Sequence, residues 1–237
     1  MASYGQFCPV AKAMEILDER WTLLIVRELL MGSTRFSELR RGVPKMSPAL
    51  LSRRLRELAR AGVVERHVDG SSVSYRLTRS GRELYDVVRA LAVWGVRWVG
   101  ELGEQDLDPH LLLWDMHRTM PTDRWPPGRT VLAIHFTDVE PKQARWWLVV
   151  GDDGVDVCSA DPGFEVAVSM DTSLRVLTGL WRGDRTWPAV LAAGTVRLSG
   201  SARLRRTLPE LIGRSTFAAV PRPDPAADAI ANDPASP

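Results

Sequence analysis

The chain has 237 residues, 45% of them apolar, and a formal net charge of +2. That length gives room for one large domain or two small ones, with enough apolar material for real cores. No run of about 18 uninterrupted apolar residues occurs, so no membrane-spanning helix is expected. The start of the chain lacks a basic segment followed by an apolar one, so no secretory signal is expected. The two cysteines, Cys8 and Cys158, lie far apart and make no disulfide framework, and a reducing cytoplasm is the natural compartment.

The small net charge hides an asymmetry. Residues 1–100 carry 17 Lys/Arg against 10 Asp/Glu, a net +7, whereas residues 101–237 carry 14 against 19, a net −5. Within the first part, 8 Lys/Arg and only 2 Asp/Glu fall between Arg35 and Arg60. A basic part joined to an acidic part suggests a polyanion-binding module fused to something else.

In chain order, residues 9–19 read as a short helix opened by Pro9, with Val10, Met14 and Leu17 on one face. Trp21 to Met31 reads as a second helix, apolar nearly all round and ended by Gly32, suited to the centre of a small core. Arg35 to Arg41 reads as a third, with Phe36 and Leu39 inward. After the turn at residues 42–46, Ser47 caps a fourth helix that begins at Pro48 and stops at Gly62. Leu51, Leu55 and Leu58 line its buried stripe, while Ala49, Ser52, Arg53, Arg56 and Arg60 fall on or near the opposite face. A helix with small residues and arginines on its outer side can enter a major groove, where arginine pairs with guanine edges or phosphates. The competing reading of that stretch alone is an ordinary amphipathic helix with a solvated basic face. Two helices joined by a tight turn, the second one basic, match the helix-turn-helix pattern.

Residues 63–68 and 73–78 alternate around Asp69-Gly-Ser-Ser, a hairpin signal, and a hairpin directly after a recognition helix is a wing. Ser71, Ser72 and Arg76 are placed to reach a phosphate or the minor groove; the alternative is a plain ribbon. A long helix is expected from about Arg79 to Leu102, with Leu84, Val88, Leu91, Trp94, Trp98 and Leu102 on one stripe. Leu91, Trp94 and Trp98 look like a dimer seam, with burial against a second domain as the competitor.

The series Cys8-Pro-Val, Arg20-Trp-Thr-Leu-Leu-Ile, Arg35-Phe-Ser-Glu-Leu-Arg, Ser47, Leu51, Arg54-Leu-Arg-Glu-Leu58, Gly62-Val-Val-Glu-Arg66, Tyr75-Arg-Leu-Thr and Gly81 resembles the HxlR-type winged helix-turn-helix regulators. The resemblance covers roughly residues 6–100. It implies a bacterial transcription factor that binds double-stranded DNA as a homodimer joined through its first and last helices. Two departures stand out: Asp18-Glu-Arg20 replaces the Gly-Gly-Lys-like residues before the tryptophan, and the wing is short and lacks prolines. The DNA-contact candidates are Arg35, Arg40, Lys45, Ser47, Pro48, Ala49, Ser52, Arg53, Arg56, Ser72 and Arg76. In some members of this type an N-terminal cysteine at the place of Cys8 senses oxidants; the alternative is a small buried hydrophobe.

Residues 103–110 read as a linker, 111–120 as a helix and 121–129 as a loop. Alternating runs at Val131–Thr137, Trp146–Val150, Val155–Cys158 and Phe164–Met170 read as strands, followed by helices over 172–180 and 186–193, a strand at Val196–Ser199 and a helix over Ala202–Gly213. From Pro221 the Pro/Ala/Asp-rich sequence reads as a disordered tail. The whole is α+β: a winged helix-turn-helix domain over 1–102 and a second α+β domain with an open sheet over 111–220. The order from Val166-Ala-Val-Ser-Met-Asp to Leu211 is similar to the sterol-carrier-protein-like fold, a resemblance that covers about residues 130–215 and rests mainly on the last fifty. That resemblance implies helices over one sheet face and an apolar cavity that takes a small apolar ligand, with Trp146, Trp147, Trp181 and Trp187 the large side chains nearest it. Alternation allows only one of Trp146 and Trp147 to face that cavity.

No catalysis, metal or cofactor is expected. The four histidines have no zinc-ligand spacing, no Cys-x-x-Cys or Gly-rich phosphate loop occurs, and Asp152-Asp-Gly-Val-Asp156 lacks the later Glu of a calcium loop. The functional reading is a ligand-responsive, homodimeric, cytoplasmic transcription regulator. The alternatives are a lipid or small-molecule carrier and a thiol-based redox regulator acting through Cys8.

Overall fold

The computed structural model describes residues 3–99 and 102–222. The chain forms two compact units, residues 1–92 and 93–237. In the first, α1 (Pro9–Leu17), α2 (Thr22–Leu30), α3 (Phe36–Gly42) and α4 (Pro48–Arg60) precede a hairpin of β1 (Val64–Asp69) and β2 (Ser72–Leu77). The helices α5 (Arg79–Glu83) and α6 (Tyr85–Trp98) follow, and α6 runs across the division between the units.

The core of this unit is one cluster built on Ile25, Val26, Leu39, Leu51, Leu55 and Leu58. The expectation that α2 is wrapped all round is corrected, because Ile25, Val26 and Leu29 are buried while Leu24 stays exposed. The helix therefore closes one side of the core rather than threading its centre. Trp21, read as the start of this helix, caps it from the left-handed region at φ 79°. Gly81 sits so close to the Val63 carbonyl that a Cβ there would lie 2.2 Å from the oxygen. Only glycine lets the chain pass the end of the hairpin this closely.

The long helix expected over 79–102 is also corrected. It is two helices broken at Leu84, whose N–H turns back to the Gly81 carbonyl at 3.3 Å, and the second ends at Trp98. Residues 100–101 lie outside the described residues, as does the tail expected from Pro221 except for its first two residues.

The second unit contains α7 (Pro109–Thr119), the strands β3 (Thr130–Phe136), β4 (Arg145–Gly151), β5 (Gly154–Cys158) and β6 (Val168–Thr172), then α8 (Leu174–Arg182), α9 (Trp187–Ala192), β7 (Val196–Gly200) and α10 (Ala202–Ile212). The expected linker over 103–110 is shortened, because α7 already begins at Pro109. Before it lies a 3-10 turn, Glu104–Asp106, tied down by Arg175, which donates to the Leu102 carbonyl at 3.0 Å and to Glu104 at 2.5 Å. The strands form one open mixed sheet in the order β5-β4-β3-β6-β7, with β3 and β6 parallel and the other pairs antiparallel. The α+β class and the open sheet expected from the sequence are both present. The fourth strand starts later than the alternation suggests, at Val168 rather than Phe164, because pairing with β3 begins at Leu132↔Val168. Phe164 instead lies under the Arg129 guanidinium, 3.8 Å from the ring centre.

One sheet face carries Leu132, Ile134, Phe136, Trp146, Leu148, Val150, Val168 and Met170, all buried with residues of α7, α8, α9 and α10 in a single core. The opposite face is largely open. Buried indoles usually find a partner for their N–H, and here Trp125 donates to the Leu211 carbonyl at 3.0 Å, Trp146 to the Gln143 carbonyl at 2.7 Å and Trp181 to Asp115 at 2.7 Å.

Candidate nucleic-acid interface

The second helix of the expected pair is held at both ends by its own sequence. Ser47 Oγ accepts from the Leu50 N–H at 3.3 Å, Pro48 occupies the first turn, and Gly62 adopts φ 72° just past the end. The Gly62 N–H returns to the Ala59 carbonyl and the Val63 N–H to Leu58, the two bonds that close a helix on a left-handed glycine. Leu51, Leu55 and Leu58 point into the core. That fixes the rotation of α4 and leaves Ala49, Arg53, Arg56 and Arg60 exposed, with Ser52 half-buried.

The first helix of the pair is anchored by Glu38, whose Oε2 accepts from the Thr34 N–H at 2.7 Å and the Arg35 N–H at 2.9 Å. Burial works against the Glu38 charge. The two backbone donors, with the guanidinium groups of Arg35 and Arg41, outweigh it and lower its pKa from 4.5. The wing is tied to the same place: the Tyr75 N–H donates to the Thr34 carbonyl at 2.7 Å and Arg35 bridges Ser74. A two-stranded ribbon is marginal alone, and this attachment is what it packs on.

Arg35, Arg40, Lys45, Ser47, Pro48 and Arg76 are exposed and Ser72 is half-buried, all within the helix pair and wing where the sequence placed them. Arg53 lies 3.6 Å from Glu57 with more than half of its side chain in solvent. Such an exposed pair is worth little and gives way readily to a phosphate or a base edge. Its neighbour Arg54 is different. Buried to 5% exposure, it donates to Glu57 at 2.6 Å and reaches Glu19 across the loop between α1 and α2. Sequence reasoning did not single out this residue, although its spacing of 3 from Leu51 and 4 from Leu58 places it on the buried stripe. It fastens the recognition helix to the start of the domain.

The remaining candidates fall elsewhere. Leu91, Trp94 and Trp98 lie on α6 and are all exposed. Cys8 caps α1 and is half-buried, as is Cys158 on β5, and both are free thiols. Burial, aided by Asp156, raises the Cys158 pKa above 9.0, which makes its thiol less reactive at neutral pH. Trp146, Trp181 and Trp187 are buried in the second core, while Trp147 is half-buried on the opposite sheet face. The alternation of the two tryptophans is thus as read.

The model of the HxlR-like helix-turn-helix family matches residues 16–102. An uncharacterized HTH-type transcriptional regulator of Bacillus subtilis, YvaP, is 40% identical over 99 residues, which are 40% of this chain and 92% of that protein. Another from Mycobacterium tuberculosis, Rv3095, is 42% identical over 91 residues, 36% of this chain and 56% of that one. Among solved structures, the reduced form of the B. subtilis transcriptional regulator YodB is 32% identical and matches over 40% of this chain and all of that chain, with a TM-score of 0.36.

Proposed function

The chain belongs to the HxlR-like helix-turn-helix family, and from that membership we propose that it is a DNA-binding transcriptional regulator acting as a homodimer on a near-palindromic operator. The observation that carries the reading is the rotation of α4, which turns Ala49, Ser52, Arg53 and Arg56 outward while Leu51, Leu55 and Leu58 hold the helix in its domain. Helix α4 lies in the major groove with Ser47, Ala49, Ser52, Arg53 and Arg56 nearest the bases. Arg35, Arg40, Lys45 and the wing residues Ser72 and Arg76 hold phosphates. The partner copy docks on α1, on the residues just before it and on α6, where Phe7, Val10, Leu91, Trp94 and Trp98 are exposed in the single chain. Two such recognition helices read half-sites about 34 Å apart, one duplex turn.

The acidic C-terminal unit is the regulatory part, of a sterol-carrier-like type. Its strand order and one-sided helix layer support that reading.

A mobility-shift titration on the DNA upstream of the chain's own gene tests the proposal. A specific complex at moderate salt is expected, and Arg53→Ala weakens it by about 1–3 kcal/mol relative to random DNA if the guanidinium meets a base. Failure to find a sequence-specific complex with any genomic fragment overturns it.

A further inference from the structure

The sheet of the second unit has a face that its helices do not cover, and strand register decides which side chains meet there. His135 pairs with Arg145 on one side and Asp171 on the other, and Asp171 pairs with Arg197. One row across β4, β3, β6 and β7 therefore reads Arg145, His135, Asp171, Arg197. His135 Nδ1 lies 2.9 Å from Asp171 Oδ1, so these two satisfy each other. Arg145 and Arg197 make no hydrogen bond or ion pair among the described residues, and both are exposed. The next row on the same face reads Trp147, Ala133, Ser169, Ser199. Adjacent strands are about 4.8 Å apart and alternate residues on one strand about 6.7 Å apart. Three short side chains in a line beside one indole leave a hollow with Trp147 as its wall. A depression of about 330 Å³ lies there, lined by His135, Arg145, Trp147, Ser169, Asp171 and Ser199 among others.

We propose that this open sheet face binds a small planar organic anion, an aromatic carboxylate by chemical class. The ring lies over Ala133 and Ser169 against the Trp147 indole, and the acid group reaches the Arg145 guanidinium two residues along the same strand. The Ser169 and Ser199 hydroxyls supply neutral donors at the far end. A guanidinium matches a carboxylate with two parallel N–H donors, which an ammonium cannot do. The volume is at the lower limit for small-molecule sites. Asp171 stands two strands away from Arg145, with His135 between them and hydrogen-bonded to it. The site is separate from the helix-covered core that the sterol-carrier-like reading of this unit points to, and it does not depend on the DNA-binding reading.

The test is calorimetric titration of the full chain with 2-naphthoate, alongside the neutral 2-naphthylmethanol, with tryptophan emission followed in parallel. Saturable binding of the acid is expected, at least about tenfold tighter than the alcohol. Arg145→Ala and Trp147→Ala each weaken it at least about tenfold, and Ser169→Phe, which fills the floor, abolishes it. Arg145 is exposed, so Arg145→Ala keeps the wild-type melting temperature and serves as the folded control. The proposal is overturned if naphthoate shows no saturation into the millimolar range, if the alcohol binds equally well, or if neither Arg145→Ala nor Trp147→Ala changes the affinity. Binding that survives both variants but fails when Leu177 is replaced would place the ligand on the helix-covered side and likewise overturn it.

Discussion

Helices α4 and α6 are of nearly equal length, 13 and 14 residues, and both carry an apolar stripe beside arginines. Their fates differ. Helix α4 buries Leu51, Leu55 and Leu58 to 2% exposure or less, whereas no residue of α6 is buried and Trp94 and Trp98 stand 58% and 55% exposed. A periodic stripe states that a face will be removed from water, because leaving it wet costs about 25 cal/mol per Å². It does not state what will cover it. In α4 the cover is the chain's own core, so the polar face is the one left for a partner. In α6 the apolar face itself is left over, which is the reason for assigning it to a second copy.

If that contrast is right, truncating the two stripes has opposite signatures. Leu55→Ala opens a void in a core where the residue is 1% exposed, and loss of about 2–5 kcal/mol of unfolding free energy is expected. A shift in urea midpoint with unchanged slope, independent of protein concentration, is the check. A loss that vanishes on dilution would mean that α4 is stabilised by association instead.

Trp94→Ala should do the reverse. It removes a large exposed side chain, so the isolated chain folds as before. The dimer weakens by about 2 kcal/mol or more if the indole is an interface anchor, roughly a thirtyfold rise in dissociation constant. Sedimentation equilibrium reads this directly. An unchanged constant would remove α6 from the interface.

The same contrast explains what was legible in the sequence. The limits of α4 were readable because each carries a chemical signal, a capping hydroxyl with proline at the start and a left-handed glycine at the end. The break between α5 and α6 was not. Leu84 is an ordinary helix former, and the constraint sits at Gly81, pressed against the Val63 carbonyl by the hairpin that returns beneath it. The late start of β6 was hidden for a similar reason: alternation at 164–170 is a local pattern, while the strand begins where β3 offers partners. Arg54 escaped because charge was read before spacing. A residue 3 after Leu51 and 4 before Leu58 faces inward whatever its charge, and Glu19 and Glu57 are there to meet it. The open sheet face was legible only in part. Alternation separated Trp146 from Trp147, but the rows across four strands need the strand order, which no local pattern contains.

The ends of the recognition helix give a smaller effect. Ser47→Ala leaves the Leu50 N–H without its side-chain acceptor and is expected to cost about 1 kcal/mol, whereas Ser47→Gly costs only a few tenths. Thermal unfolding of the two variants side by side separates loss of the cap from loss of backbone geometry. Equal destabilisation by both would mean that the hydroxyl contributes nothing.

The smallest effect lies at the start of α3, where Glu38 ties Thr34 and Arg35 and, through the Thr34 carbonyl, the wing strand at Tyr75. Its pKa is lowered in the folded chain: burial opposes the charge, and the two backbone donors and nearby arginines more than offset it. A group with a lowered folded pKa binds its proton more readily in the unfolded chain. Its stabilising contribution is therefore complete above the unfolded value near 4.5 and is lost as pH falls through the lower folded value. Glu38→Gln keeps an oxygen that can still accept both bonds but removes the charge, and the partly exposed position limits the loss to under about 1 kcal/mol at neutral pH. The difference in stability between wild type and Glu38→Gln should stay constant from pH 7 to about 5 and shrink below the unfolded value. Denaturant midpoints of both proteins across that range check it. A difference that stays constant below about pH 4 would mean that Glu38 acts through shape rather than through its charge.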